Sequence, residues 1–397
     1  MDDRAHQPAA CPVCGGARRA FWEQPEVPAT SNILFRSAAE ARSAASGALR
    51  LAWCTRCELV SNERFDPSLT DTAEGYEETQ AHSPTFRAWL EGFAGDLARR
   101  HGLTAGVVVD VGCGRGDFLA SLCARTGCSG LGIDPSSTAG RVDASSGAGL
   151  TFQRARLEDT TPLEEVALAS CRHTLEHVAD PLAFLTALHG RLPAGTPLVL
   201  EVPDASRVLA EGAFWDVYHE HAHYFTATAL EQVAARAGFA CEAVERVYGD
   251  QNLVLHGRAT SGPQEQPAPV PPNSLGGAVA EFQERAHSVL DATRREVEEA
   301  ARRGVTSILW GAGSKATGFL VATGLTEAVR AVADINPDKQ GSFVAGTGHP
   351  VVGPAEAAAL DPGLVVVMNP LYLEEVRADL AALGCRPRLT TLGGPPA

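Results

Sequence analysis

The stretch from Val107 to Leu119, VVVDVGCGRGDFL, constrains this chain more than any other. A short β-branched run ends in Asp110, turns through Gly112, Gly114 and Gly116, and enters an apolar-periodic segment. That pattern predicts a buried strand, a glycine turn and a helix start. Glycine lets backbone approach a ligand with no Cβ in the way, and the helix N-terminus favours a negatively charged group such as a carboxylate. A second strand is expected from Ser129 to Ile133, ending in Asp134. An acid roughly 20 residues beyond a glycine turn is spaced to take both hydroxyls of a ribose. The glycines run G-C-G-R-G, whereas a dinucleotide fold wants G-x-G-x-x-G.

Size leaves room for more than this one unit. A single core usually stops growing near ~250–300 residues, and the chain has 397. Its net charge of −15 argues against a nucleic-acid partner, which needs a basic face to displace counterions. An anionic small molecule needs only local basic groups and helix N-termini, and stays allowed. No apolar run approaches the ~18 residues that span a membrane. The first residues, MDDRAHQPAACPVC, lack an apolar signal region, so the expected location is cytoplasmic.

Four of the ten cysteines form two pairs, Cys11/Cys14 and Cys54/Cys57. Two C-x-x-C knuckles can supply four thiolates to one tetrahedral zinc. With all four positions taken by protein such a metal is structural; the alternative is four unrelated buried thiols. The following polar and aromatic segment, Glu74 to Pro84, is positioned to fold over a site, with Tyr76 and His82 able to face a ligand, or else is a solvated connector. An amphipathic helix is expected over Phe86–Arg100.

Strand and helix alternate from Ala105 to about Leu200, as in a parallel, doubly wound α/β sheet. Glu158 and Asp159 follow a short strand, Leu150–Arg154, and either is a candidate for an adenine amino group. After a strand at Val166–Cys171 come His173, Glu176 and His177. Asp180-Pro181, an N-cap and first-turn pair, then begins a helix. The loop between them belongs at the carboxyl edge of the sheet, where open α/β folds bind ligands. Another strand, Pro197–Val202, leads to FWDVYHEHAHYF, with Tyr218, His219, Glu220, His221, His223 and Tyr224 in seven residues. The next helix has a capping-box pattern at Thr228/Glu231. The H-E-H run has three readings: a proton-transfer cluster with glutamate orienting a histidine base, a metal site, or structural hydrogen bonding. Strands over Cys241–Val247 and Gln251–Gly257 close the unit as an antiparallel hairpin.

A proline-rich linker, residues 260–276, separates this core from a helix at Val279–Arg303. A smaller strand–turn–helix unit follows, with Gly311-Ala-Gly313-Ser314-Lys315 at its turn and strands at Val329–Ile335 and Leu364–Met368. Lys315 at a helix N-terminus suits a phosphate-bearing substrate, and Asn336 follows the second strand as a further substrate contact. A nicotinamide site and a lid without ligand contact are the alternatives.

Taken in order, these segments resemble bacterial sugar C-methyltransferases, including the 3-C-methyltransferases of deoxysugar pathways. The resemblance rests on the paired cysteines, Asp110–Gly116 (D-x-G-x-G-x-G), Leu175-Glu176-His177 with Asp180-Pro181, Tyr218–His221 (Y-H-E-H) and Trp310–Lys315 (W-G-A-G-S-K). It implies a class I S-adenosylmethionine (SAM) methyltransferase sheet with an N-terminal zinc lobe and a C-terminal Rossmann-like domain. The implied bounds are 1–72 for the lobe, 73–259 for the core, 260–276 for the linker and 277–397 for the last domain. SAM would lie against Asp110, Gly112, Cys113, Gly114, Gly116, Asp134, Glu158 or Asp159, and His173. A nucleotide-linked keto-sugar would be enolised by His221 as base, with Tyr218, Glu220, His177 and Tyr76 orienting it or binding sugar oxygens. His219, His223, Tyr224, Lys315 and Asn336 are the remaining expected substrate contacts. The segment GYEETQAHSPTF departs from the family's tyrosine- and serine-rich pattern, and His223 is an additional histidine.

Overall fold

A computed structural model of the chain describes residues 10–33, 35–70, 79–136, 149–262, 270–271 and 274–393. The N-terminal lobe is an antiparallel sheet of β1 (Arg18–Pro28), β2 (Ser46–Cys54) and β3 (Val60–Asn62), with α1 (Ala38–Arg42) between the first two strands. The core begins with α2 (Pro84–His101), β4 (Val107–Val111), α3 (Asp117–Thr126), β5 (Ser129–Ile133) and β6 (Leu150–Gln153). It continues through β7 (Val166–Arg172), α4 (Pro181–His189), β8 (Pro197–Pro203), α5 (Ala205–Glu211), β9 (His223–Tyr224), α6 (Ala227–Arg236), β10 (Phe239–Val247) and β11 (Asn252–Ala259). The long helix α7 (Gly276–Arg302) leads into β12 (Ser307–Trp310), α8 (Ser314–Thr323), β13 (Val329–Ala333), β14 (Val351–Val352), α9 (Pro354–Ala359), β15 (Leu364–Val367), α10 (Leu373–Ala382) and β16 (Arg388–Thr391).

The core sheet has the order β10-β11-β8-β7-β4-β5-β6. Every strand runs the same way except β11, which is antiparallel to both neighbours. This is the class I methyltransferase arrangement. Its central strands are near-continuous apolar runs because helices cover both faces: α2 and α3 pack on one side, α4 and α6 on the other. The C-terminal domain repeats the theme with a five-stranded, wholly parallel sheet, β14-β13-β12-β15-β16.

Two local expectations give way to tertiary contacts. The cap of α6 is Thr226, whose hydroxyl accepts from the Ala229 amide at 3.0 Å, and not Thr228. The chain stays extended up to Phe225 because that residue bridges Asp204 and accepts from the Ala205 amide, so the helix starts directly after it. Strands β14 and β16 are too short or too polar to show as apolar runs, and pairing with β13 and β15 creates them.

One apolar core ties the three parts together. It joins Trp22, Leu49 and Trp53 of the lobe to Val208, Phe214 and Trp215 of the core. Phe282 of α7 and Phe319 and Leu320 of α8 complete it. The lobe also reaches into the core through its sheet, whose fourth strand is β9, paired with β3 at Val60–Tyr224 and Ser61–His223. Among the described residues no helix is long and apolar enough to cross a membrane.

Candidate active site

The carboxyl-terminal edges of both parallel sheets face one cavity of about 440 Å³. From the core come Asp110, the glycine turn Gly112–Gly116, Arg172, His173, Glu176 and His177; from the C-terminal domain come Gly311, Gly313, Ser314, Lys315, Asp334, Asn336 and Asn369. The two glycine turns are built alike. In the core, Asp134 accepts from the Gly114 amide (2.9 Å) and the Ser136 amide (2.7 Å). In the C-terminal domain, Asp334 accepts from the Ala312 amide (2.7 Å) and the Asn336 amide (2.8 Å). Each acid at the end of a second strand thus fixes the turn after the first. A single carboxylate oxygen has lone pairs for more than one donor, so Asp334, which lines the cavity, can also receive ligand hydroxyls, whereas Asp134 lies behind the turn and is not part of the lining.

The core turn fits SAM. Gly112, Gly114 and Gly116 all have positive φ, at 74°, 51° and 93°, and α3 starts after Gly116 with no side chain capping its first amides. Beneath the turn, burial pushes the Asp110 carboxyl up to about 6, although the Ser170 hydroxyl bonds it at 2.7 Å. Cys113 also lines the cavity. Glu158 and Asp159 sit on a short turn, Leu157–Asp159, exposed and away from the cavity lining.

The histidine loop divides its work. His177, Tyr218 and His221 line the cavity, with the His221 ring edge-on to both others at centroid distances of 4.8 and 5.0 Å. His177 Nδ1 donates to the Glu220 carbonyl at 3.0 Å, which leaves Nε2 as its free nitrogen. Burial, aided by the neighbouring His177, lowers His221 to about 3. Burial also raises Tyr218 well above its usual range, and its hydroxyl donates to Asp216 at 3.0 Å.

The other expected residues of this loop face away, and these are corrections. Glu220 does not reach the cavity: its carboxylate accepts from the hydroxyl and amide of Ser31 in the lobe. His219 is fully buried against β2, its Nδ1 donating to Ala48 at 2.8 Å, and Gly47 is needed there because a Cβ would lie 2.4 Å from the ring. His223 is held at both nitrogens, by Ser61 Oγ (3.0 Å) and the Ala179 carbonyl (3.1 Å). Tyr224 bonds the backbone of Tyr218 through its hydroxyl (2.8 and 2.9 Å) and so supports a cavity residue without lining the cavity itself. Tyr76 lies outside the described residues, as do 263–269 and 272–273 of the linker.

Lys315 does line the cavity, but its charge is paired. Its ammonium bonds Asp216, which also binds Arg207 and Tyr218. Burial opposes the Asp216 charge, yet Lys315 and Arg207 hold its carboxyl well below the usual range. A lysine so engaged is a poor free phosphate hook, which corrects the sequence expectation. Asp216 and Arg207 escaped sequence reading, although the FWD run just before Y-H-E-H carried the signal. Arg172 escaped too: it pairs with buried Glu201 at 2.6 Å and lies 4.2 Å over the Phe118 ring.

The four knuckle cysteines converge. Sγ atoms of Cys11 and Cys57 are 3.5 Å apart, those of Cys14 and Cys54 are 3.4 Å apart, and all four lie within 4.8 Å of one another. Zinc with ~2.3 Å bonds to four sulfurs has tetrahedral edges of about 3.8 Å, so this donor set fits that metal.

Residues 86–244 match a methyltransferase domain, and residues 277–386 match a C-methyltransferase C-terminal domain. The C-methyltransferase NovU of Streptomyces niveus is 26% identical over 294 residues, covering 70% of this chain and 70% of that protein. The ubiquinone biosynthesis O-methyltransferase of Psychrobacter arcticus is 30% identical over 161 residues, covering 35% of this chain; the chain spans 60% of that relative's length. Among solved structures, the 1,6-didemethyltoxoflavin-N1-methyltransferase of Burkholderia thailandensis aligns at 18% identity and a TM-score of 0.36, covering 43% of this chain and 79% of that one. The chain thus carries a methyltransferase domain on a class I sheet and a C-methyltransferase C-terminal domain behind it.

Proposed function

We propose that this protein is a C-methyltransferase acting on a nucleotide-linked keto-sugar. One observation carries the reading: a single cavity holds the core's glycine turn, the second domain's glycine turn, and His177, Tyr218 and His221. Carbon is a poor nucleophile until a proton α to a carbonyl is removed, so the site needs a base. His221 is the candidate because it lines the cavity between His177 and Tyr218, and burial keeps its imidazole in the neutral form that can accept a proton. Tyr218 has committed its proton to Asp216, so its oxygen presents lone pairs to acceptor hydroxyls. The core's glycine turn, fixed by Asp134, would hold SAM, which when bound would supply a methyl group on sulfonium sulfur. The nucleotide of the acceptor would lie along the second turn, near Asp334, Asn336 and Lys339. Zinc on the four cysteines would be structural, holding the lobe that carries β3.

The likeness to NovU over 70% of this chain favours carbon as the site of transfer, since the O-methyltransferase relatives match only 35% of it. The test is a mass-spectrometric methyl-transfer assay on a panel of nucleotide-linked keto-sugars, with NMR locating the new methyl. A methyl on the carbon beside the ketone is expected; a methyl on oxygen would overturn the carbon assignment. His221→Asn should lower turnover by ~10²–10⁴-fold, the usual worth of a general base, with SAM affinity by calorimetry unchanged. Undiminished turnover would remove His221 as the base.

A further inference from the structure

The buried polar atoms without a hydrogen-bond partner include Glu176 Oε2 and His221 Nδ1, whose residues both line the cavity. Their residues are only 2% and 8% exposed, and an unsatisfied group at such depth costs ~1–3 kcal/mol. Native proteins keep few of them, and those few often mark catalytic sites. Glu176 sits on the turn Leu175–His177 that follows β7. Its Oε1 faces His173 Nδ1 at 3.4 Å, which leaves Oε2 unused. A Glu176 oxygen and ring nitrogens of His177 and His221 lie within 4.8 Å of one another.

Among the described residues, the other acids and the tyrosines around His221 are already engaged. His177 has donated Nδ1 to the Glu220 carbonyl and keeps Nε2 free, but an imidazole nitrogen brings no negative charge to balance an imidazolium. Tyr218 and Tyr224, the other rings against His221, are bound to Asp216 and to backbone. Asp216 is compensated by Arg207 and Lys315, and His173 lies between Glu176 and Glu201. Glu220, the acid next to His221 in sequence, is bound to Ser31. Among the described residues, Glu176 is therefore the carboxylate with a free oxygen beside the imidazole.

We propose that Glu176 is the positioning residue for His221: it receives the Nδ1–H and so leaves Nε2 as the nitrogen that takes the acceptor's proton. The proposal rests on the C-methylation reading. In the step it serves, the C–H bond α to the ketone breaks, the proton goes to His221 Nε2, and the electron pair moves to the carbonyl oxygen. His221 becomes an imidazolium whose charge Glu176 balances, and it later releases the proton to water. Catalytic hydrogen bonds in ligand-free sites are often long and tighten when the site is filled, which is how a separation within 4.8 Å becomes a bond.

The test reads the tautomer of His221 directly and needs no acceptor. Full-length protein with ¹⁵N-labelled histidine is saturated with S-adenosylhomocysteine near pH 7, and His221 is identified by the signals lost in His221→Asn. The Nδ1–H tautomer should dominate at least tenfold. In Glu176→Ala that excess should vanish, and Glu176→Gln, which keeps an acceptor without the charge, should fall between. Calorimetric S-adenosylhomocysteine affinity within twofold of the original chain verifies that each variant is folded. An unchanged tautomer ratio in both variants overturns the proposal. So does a second divalent ion per chain, beyond the one at the four cysteines, that both variants lose, since the cluster would then be a metal site. Failure of the C-methylation reading would show separately, as products methylated on oxygen.

Discussion

His173 stands at the end of β7 with φ of 49°, its ring between Glu176 and Glu201 at 3.4 and 3.3 Å. Burial opposes its charged form, yet the two carboxylates hold it up at about 10. Burial likewise opposes the charge on Glu201, yet Arg172 and His173 bring that carboxyl down to about 2. The signs differ. His173 is raised above its unfolded value of ~6.5, so its contribution is full below that pH and is lost as pH rises toward 10. Glu201 is depressed below ~4.3, so its contribution is full above that pH and is lost as pH falls toward 2. The pair is best between ~4.3 and ~6.5. The stability gap between the native chain and His173→Asn should therefore narrow from about pH 6.5 to pH 10, read from urea midpoints. A pH-independent gap would show that the ring acts by packing. The His173 side chain is 42% exposed, so solvent screens part of the effect.

At the scale of elements, the glycine turn makes the sharpest demand. A Cβ on Gly112 would fall 1.9 Å from Thr174 Oγ1, at a φ of 74°. Thr174 cannot easily yield, because its hydroxyl bonds the Arg172 carbonyl at 3.0 Å. Gly112→Ala should weaken SAM binding at least tenfold and destabilise the core by roughly 1–3 kcal/mol, the usual scale of stored backbone strain. Gly127, with φ of 72° and open space around its Cβ position, is the control: Gly127→Ala should cost about 1 kcal/mol and leave SAM binding alone. Calorimetry and thermal unfolding separate the two. The turn and its flanking elements were legible in sequence because they depend on neighbours a few positions apart. The strand Ser129–Ile133 matches its expected bounds, and α7 starts three residues before the expected Val279. β14 and the cap of α6 were not legible, since distant backbone creates both.

For the whole molecule, the lobe is part of the site. The sheet that carries Cys54 in β2 continues through β3 to β9, the strand directly after His221. Leu59 and the knuckle cysteines also pack into the same apolar cluster as Val109, Val111 and Leu200 of the core. Removing the zinc proposed for the four cysteines, or making Cys54→Ser, should release β3 and loosen the histidine loop. Methyl transfer should then fall at least tenfold while SAM affinity, set by the core's glycine turn, stays within about twofold; structural metals contribute folding energy outright. Equal loss of SAM binding would mean that the lobe supports the entire core.

What the sequence by itself determined is what local physics governs: the glycine turns, the apolar strands, the cysteine knuckles and the presence of a histidine cluster. Which members of that cluster face the cavity was decided only by tertiary structure. The decisive contacts join residues far apart, such as Glu220 with Ser31 at a separation of 189 positions and Lys315 with Asp216 at 99. Neither partner carries a local pattern that names the other. Glu220 and Glu176 are both acids next to a histidine, yet Ser31 claims the first and leaves the second with a free oxygen beside His221. A short motif specifies which side chains are present, but burial and pairing across the three parts specify which of them remain free to react.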